Sequence, residues 1–350
     1  MRAARLMALT GVALVLPFVL SAAWLTTAVF VLVAAIAVTG LNVLTGYAGQ
    51  ISLGHAFFLA AGAYGAVALA DAGLPSPFWI PAAGVIAAAF GALAGPLALR
   101  LSGLYLALVT LGLVFLGQHV LFNVASLSGG PEGREFPAVS VGSFDFAQDT
   151  LAIGPLLVEG NGLYYYLAAA LLAATTLYAR NLIRTRPGRA MVAVRERPAA
   201  AAVMGVDVAR TKVVAFVVSS FFAGVSGALY ASYVGFAQPG HWDVMLSIQY
   251  VAAIVVGGMG SVAGPLLGAV VIFALPSLLR ELPFLGETGS GFSASELATI
   301  IYGFLIVAFL VAEPRGLVGI GERIRRAGTR MRASVPSSTG GVLTTKEERR

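Results

Sequence analysis

No cysteine occurs in the 350 residues, and the chain has only two lysines, Lys212 and Lys346, and three histidines, His55, His119 and His241. Without cysteine there are no disulfides, thiolate metal sites or cysteine nucleophiles. Neither lysine completes a GxxxxGK pattern, so the chain carries no phosphate-binding loop of its own. The histidines stand apart, without HExxH or a close carboxylate cluster, so neither a metal centre nor a cofactor is expected. No GxSxG elbow supports a serine nucleophile. Charge is scarce as well. Asp, Glu, Lys and Arg make up 11% of the chain, against about a quarter in ordinary soluble domains.

What is present is apolar sequence. Hydrophobic residues make up 58%, and runs of about 20 of them recur, each long enough to cross a hydrocarbon core as a helix. The expected spans are Leu6–Trp24, Thr26–Thr45, Ile51–Ala70, Phe78–Leu99, Leu104–Val124, Leu163–Ala179, Val213–Tyr233, Leu246–Gly257, Val262–Leu279 and Leu297–Val311. Breaks fall at DAGLPSP (Asp71–Pro77), LSGGPEG (Leu127–Gly133) and GGMGSVAGP (Gly257–Pro265), all rich in turn formers. The segment Leu246–Gly257 is short for a span and reads as a half-helix, or as a helix that borrows from the loop before it. The fold class is therefore an all-helical polytopic membrane bundle of about ten transmembrane helices. The N-terminal MRAARLMALTGVALVLPFVLSAAW imitates a signal peptide. It is read as a retained span, because a second apolar run begins at once near Thr26.

The cations fix an orientation. With both termini in the cytoplasm, 20 of the 22 Lys and Arg residues lie inside, and only Arg134 and Arg280 lie outside among the acidic loops. This agrees with the positive-inside rule. The net charge of +6 thus reflects topology and implies no nucleic-acid partner. The organisation is a transmembrane domain over residues 1–320, with an inner loop at 180–212 and an outer loop at 126–162, followed by a basic, Ser/Thr/Gly-rich tail at 321–350. The tail is expected to be disordered and to lie against anionic lipid. The outer loop carries five carboxylates and one arginine, and reads equally as a receiving surface for a soluble protein or as a solvated loop. The multi-pass pattern places the protein in a membrane, expected to be a bacterial cytoplasmic one.

No carboxylate, lysine or arginine falls near the middle of a span. Ion-coupled carriers commonly bury such groups, so a proton-coupled carrier is disfavoured, and active transport would draw energy from another polypeptide. In the inner loop, Pro198 suits a first helical turn, the alanines favour helix, and Gly205 suits the position just past its end. A helix over Pro198–Met204 follows. It would present Ala199, Ala202, Val203 and Met204 as a small apolar knob for a partner, or rest them on lipid.

The segment from Glu196 through Ala200, Ala201 and Gly205 into VDVARTKVVAFVVSSFFAGVSGALYA resembles the cytoplasmic loop and following helix of permeases in the branched-chain amino acid ABC importer family. LNVLTGYAGQISLGHAFF, SGLYLALVTLG, LSGGPEG, GGMGSVAGPLLGA and EPRGL resemble the same family in the same order, over most of Leu41 to Leu317. The similarity is to the LivM type of its two permease subunits. It implies that Glu196, Pro198, Ala200, Ala201, Met204 and Gly205 belong to a coupling helix that docks into an ATPase. It further implies a second homologous permease, two cytoplasmic ATPases that hydrolyse ATP, and an extracytoplasmic solute-binding protein. This chain would be a transport subunit and not an enzyme. Branched-chain amino acids lead as substrate, with urea, other amino acids and short amides as alternatives. The family often has an acidic residue where this chain has Pro198 and a basic one where it has Ala202, so no particular salt bridge is carried over. A secondary carrier without an ATPase and a membrane enzyme are the readings from other classes.

Two groups of residues remain. Gln50, Ser52 and His55 are expected in the first turns of Ile51–Ala70, away from mid-bilayer. There they either cap the helix and bond to neighbouring backbone, or line the translocation path. Small residues at intervals of four, Gly260, Gly264 and Gly268, and likewise Ser220, Gly224 and Ala228, together with Gly91 and Gly95, are expected to form close helix-packing faces. The Gly257–Pro265 break could flank the path, since broken helices at membrane depth need cover from protein or from a water-lined cavity.

Overall fold

The computed structural model describes residues 14–280 apart from 102, 142, 143, 147, 148, 154, 155 and 159, and in addition 11, 300–304, 307, 316–319 and 323. Among these residues the chain is mostly helical. Helix α1 (Ala22–Leu41) runs on into a π-helical turn at Asn42–Tyr47. Then follow α2 (His55–Asp71), α3 (Trp79–Ala94), the short α4 (Leu97–Arg100), α5 (Leu104–Asn123) and the single turn α6 (Ala125–Ser128). After a stranded loop come α7 (Gly160–Arg184), α8 (Arg186–Glu196), α9 (Pro198–Val203), α10 (Val208–Val234) and α11 (Val244–Gly257). Helix α12 (Gly264–Ala269) continues through a π-helical stretch, Val270–Ala274, into α13 (Leu275–Arg280).

Among the described residues five helical runs are long and apolar enough to span a membrane: Ala22–Tyr47, Trp79–Arg100, Leu104–Asn123, Gly160–Arg184 and Val208–Val234. His55–Asp71 and Gly264–Leu279 are shorter apolar helices, and α11 is the short segment that the sequence suggests. Residues 6–10, 12 and 13 of the expected span Leu6–Trp24, most of Leu297–Val311, and all of the tail but Arg323 lie outside the described residues. The clearest difference is at Ile51–Ala70, where the helix starts at His55 and residues 48–54 are not helical.

Helices α1 and α10 form the centre. In lipid an apolar face gains little by leaving the solvent, so close approach of backbones must supply the attraction. Helix α10 offers Ser219, Ser220, Ala223, Gly224, Gly227 and Ala228, all buried. A Cβ added to Gly227 would lie 2.0 Å from the Leu59 carbonyl oxygen of α2, and one added to Gly62 would lie 2.2 Å from Gly224 Cα. On α3, a Cβ at Gly91 would meet Ser220 Oγ at 2.4 Å and one at Gly95 would meet Val213 at 3.0 Å. One hydroxyl bond adds to the seam between α10 and α1: Ser226 Oγ donates to the Val33 carbonyl at 2.7 Å, whereas Thr39 Oγ1 donates back to Ala35 of its own helix.

The expected faces Ser220/Gly224/Ala228 and Gly91/Gly95 thus exist, whereas Gly260/Gly264/Gly268 is not one face. Gly260 lies in the turn between α11 and α12 with φ +73°, and Gly264 only opens α12. Of the three, Gly268 alone sits in a helix seam, where a Cβ would fall 1.8 Å from the Ala253 carbonyl oxygen. Spacing by four marks a face only where the chain is already helical.

The two ends of the bundle differ. One carries the arm formed by α8 and α9 and the arginines around it; there the Lys212 ammonium donates to the Ala98 carbonyl at 2.8 Å, a cation at the end of a helix as its dipole favours. The opposite end carries, among the described residues, six short strands. Strand β1 (Arg134–Glu135) pairs antiparallel with β6 (Phe236–Ala237), β2 (Ser140–Val141) with β3 (Phe144–Asp145), and β4 (Leu151–Ile153) with β5 (Leu156–Val158). Among the described residues the outer loop thus carries short strand pairs, and β1 ties it to β6 just after α10. Arg134 holds it further, with an ion pair to Asp71 at 2.5 Å and a bond to the Leu127 carbonyl.

Candidate functional site

Two breaks in the helical pattern meet near the arm end. The first closes α1. Ala48 N–H reaches back to the Val43 carbonyl and Gln50 N–H to that of Leu44. Between them Gly49 takes φ +68°, a left-handed cap that a side chain would strain. The chain then climbs. The Gln50 carbonyl accepts from Thr45 Oγ1 at 3.0 Å, whereas His55 Nε2 lies 3.1 Å from the Ala37 carbonyl. Residues 51–55 thus pass eight residues of α1, roughly 12 Å at helical rise, which is more per residue than a helix climbs. Thr110, six residues into α5, meets Leu53 N–H, so α2 starts about 9 Å inside the bundle by that measure.

This corrects the expected placement of Gln50, Ser52 and His55. Only His55 is helical, and it begins α2 inside the bundle, level with the second turn of α5. Bare backbone is tolerated there because it is paired. Leu53 N–H goes to Thr110 Oγ1 at 3.0 Å, Gly54 N–H to Ser52 Oγ at 3.2 Å and Ala56 N–H to Ser247 Oγ at 2.9 Å. The His55 ring also stands edge-on to Tyr250, with centroids 5.2 Å apart. His55 bonds to the backbone of α1, whereas neither Gln50 nor Ser52 caps α2, whose N-cap is Gly54 without a side-chain cap bond; Ser52 and His55 are both 1% exposed. Gln50 is buried too, with Nε2 on the Ala48 carbonyl and Oε1 without a partner among the described residues. Gly49 and Ile51, which alternate with them, are exposed.

The second break is the turn Gly258–Ala263. Ser261 Oγ donates to the Gly258 carbonyl at 2.8 Å and accepts from Gly264 N–H at 2.9 Å. Asn42 clamps this turn onto α1: its Nδ2 donates to the Ser261 carbonyl at 2.8 Å, and its Oδ1 accepts from Gly260 N–H at 2.9 Å. Gly316 packs here as well, since a Cβ on it would lie 2.6 Å from Gly258 Cα. From α8, the Arg195 guanidinium donates through Nη1 to the Gly46 carbonyl. A Cβ on Gly49 would lie 2.9 Å from Arg195 Cγ, and one on Gly260 would lie 2.9 Å from Arg195 Nη1. Residues from GYAGQ, GGMGS, EPRGL and the arm thus converge on one place, although 270 residues separate Gly46 from Gly316 in the chain.

Residues 23–310 match the family described as the permease component of branched-chain amino acid transport systems. The chain belongs to this family. The LivM permease protein of the high-affinity branched-chain amino acid transport system of Salmonella typhimurium is 33% identical over 327 residues, covering 89% of this chain and 74% of that protein. The LivM protein of Escherichia coli is 34% identical over 328 residues with the same coverage. The fructose import permease protein FruG of Bifidobacterium longum is 26% identical over 300 residues, covering 83% of this chain and 81% of that one. No solved structure matches.

In this permease the arm differs from the single short helix expected. Helix α8 precedes it, seated by buried Met191 and Val194, and Glu196 is the last residue of α8. Helix α9 covers Pro198–Val203, Met204 is its C-cap, and Gly205 takes φ +82°, the Pro-start, Gly-stop pattern read from the sequence. Ala201 is buried at 4%, whereas Ala199, Ala200, Ala202, Val203 and Met204 are exposed. The apolar knob is therefore free of Ala201, which packs inward.

The permease's two joining residues, Asn42 and Arg195, escape a reading by composition. Asn42 had a signal, as an amide inside the apolar run from Val29 to Leu44. Arg195 had none, because in sequence it is one of eight cations between Arg180 and Lys212.

Proposed function

We propose that this permease imports branched-chain amino acids as one half of a two-permease channel, driven by two ATPases that dock on its arm end and fed by a solute-binding protein at the strand end. On this reading about ten spans cross the membrane, with both termini and the arm in the cytoplasm. The observation that carries it is the joint presence of a family match over residues 23–310 and an exposed apolar knob on the arm, with Val203 88% and Met204 83% exposed. Exposed methyl and thioether groups on a short, stiff helix suit insertion into a partner's groove, where a few buried anchors supply most of the binding energy. Within the path, the exposed Gly49 and Ile51 face the substrate. Gln50, Ser52 and His55, all buried, hold the segment from behind.

The docking assignment is tested with cysteine chemistry on a chain that has no cysteine of its own. Val203→Cys and Met204→Cys should crosslink to the ATPase and be shielded from maleimide in the assembled complex. Free labelling of both in a complex that transports normally removes α9 as the coupling element. The substrate is tested by ligand binding to the co-encoded binding protein. Leucine, isoleucine and valine should bind, and a binding protein that takes only urea, short amides or a sugar overturns the substrate assignment.

A further inference from the structure

We infer that Arg195 is the positioning residue that carries movement of the docked arm to the gate formed where the two helix breaks meet. The inference rests on the function proposed above. Three observations support it. First, the last carbonyls of a helix have no partner within it. At the end of α1, Val43 and Leu44 are capped by nearby backbone N–H groups, but Gly46 is capped by Arg195 from a different element. Second, among the described residues this is the one side-chain hydrogen bond from α8 or α9 to the body of the bundle; Arg189, for comparison, bonds to Arg184 beside the arm's own start. Third, the guanidinium lies against both breaks at once, with its stem over Gly49 and Nη1 beside Gly260.

The mechanical arrangement is short. One non-helical residue, Arg197 at φ −151° and ψ 94°, separates α8 from α9, so a shift of α9 is delivered to the end of α8, where Arg195 stands. The breaks on the other side of the contact can respond, because Gly49 and Gly260 both hold positive φ in turns rather than in helices. Asn42 ties the Gly258–Ala263 turn to α1, so a pull on Gly46 moves both together. Arginine suits this role better than lysine. Its planar fork keeps a fixed direction to a carbonyl, whereas an ammonium acts as a point charge on a flexible stem.

The experiment uses the complete complex in proteoliposomes, with ATP hydrolysis and substrate uptake measured together. Arg195→Ala should leave ATP hydrolysis near the parent level while uptake falls about tenfold, within the range that single residues contribute to coupling between sites. Arg195→Lys should fall between the two, and Arg189→Ala should match the parent. A second readout places Ile51→Cys in the cysteine-free chain. Its rate of maleimide labelling should change on adding ATP in the parent and stay constant with Arg195→Ala. Unchanged ATP consumed per substrate together with ATP-dependent labelling in Arg195→Ala overturns the inference. So does loss of hydrolysis and uptake in equal measure, with Arg195→Lys behaving as the parent, because that pattern marks a docking or folding residue. A parent complex that takes up substrate without ATP would refute the importer reading instead.

Discussion

Proteoliposomes carrying this permease alone will accumulate no branched-chain amino acid under an imposed proton gradient. The same permease assembled with the ATPases, second permease and binding protein proposed for it will accumulate it only when ATP is supplied. The expected contrast is between background and full uptake. The sequence has no P-loop, and among the described residues no carboxylate, lysine or arginine stands near the middle of a long apolar helix to take up and release an ion; Asp71, for instance, ends α2 at the strand end. Apart from the Arg195 guanidinium, which is engaged with the Gly46 carbonyl, the side chains at the first break are amide, hydroxyl and imidazole, which hold a zwitterion weakly and so suit its release. The measurement is radiolabelled uptake with gradient and ATP supplied separately. Robust uphill uptake by the chain alone would promote the secondary carrier in its place.

The second large effect concerns folding. Gly227→Leu should abolish recovery of folded permease, and Gly227→Ala should already lower its thermal midpoint in detergent. The first added carbon meets a backbone oxygen at 2.0 Å, and backbone cannot rotate aside as a side chain can. Overpacking of cores typically costs about 1–3 kcal/mol where side chains can shift, and here two central helices would have to part. Gly112→Leu is the control, since nothing lies within 4 Å of its added carbon. Equal yield and equal midpoint for Gly227→Leu and Gly112→Leu would show that α2 and α10 do not pack as described.

Legibility followed the physics of each signal. Long apolar runs, the Pro198 start and the Gly205 stop are local, and they gave the long helices and α9 to within a few residues. The small-residue rows on α3 and α10 were readable because those segments are helical throughout. The start of α2 was not. Ile51 and Leu53 are as apolar as helix interior, and what keeps the backbone from coiling there is a set of hydroxyls, Thr45, Thr110 and Ser247, from three other elements. Pattern along one segment does not report partners elsewhere in the chain. The same reason hid Arg195, whose role depends on Gly46, 149 positions earlier.

The climbing segment also fixes a register. Its residues alternate, Gln50 and Ser52 inward and Gly49 and Ile51 outward, so removing one residue between Gly49 and Gly54 would exchange the two sets, as a one-residue slip does in a strand. It would also shorten the climb by about 3.3 Å, enough to draw Leu53 and Ala56 away from Thr110 and Ser247. Longer loops elsewhere can absorb an insertion or a deletion. Here the number of residues is as constrained as their identity, and length variation among related permeases should avoid positions 49–54.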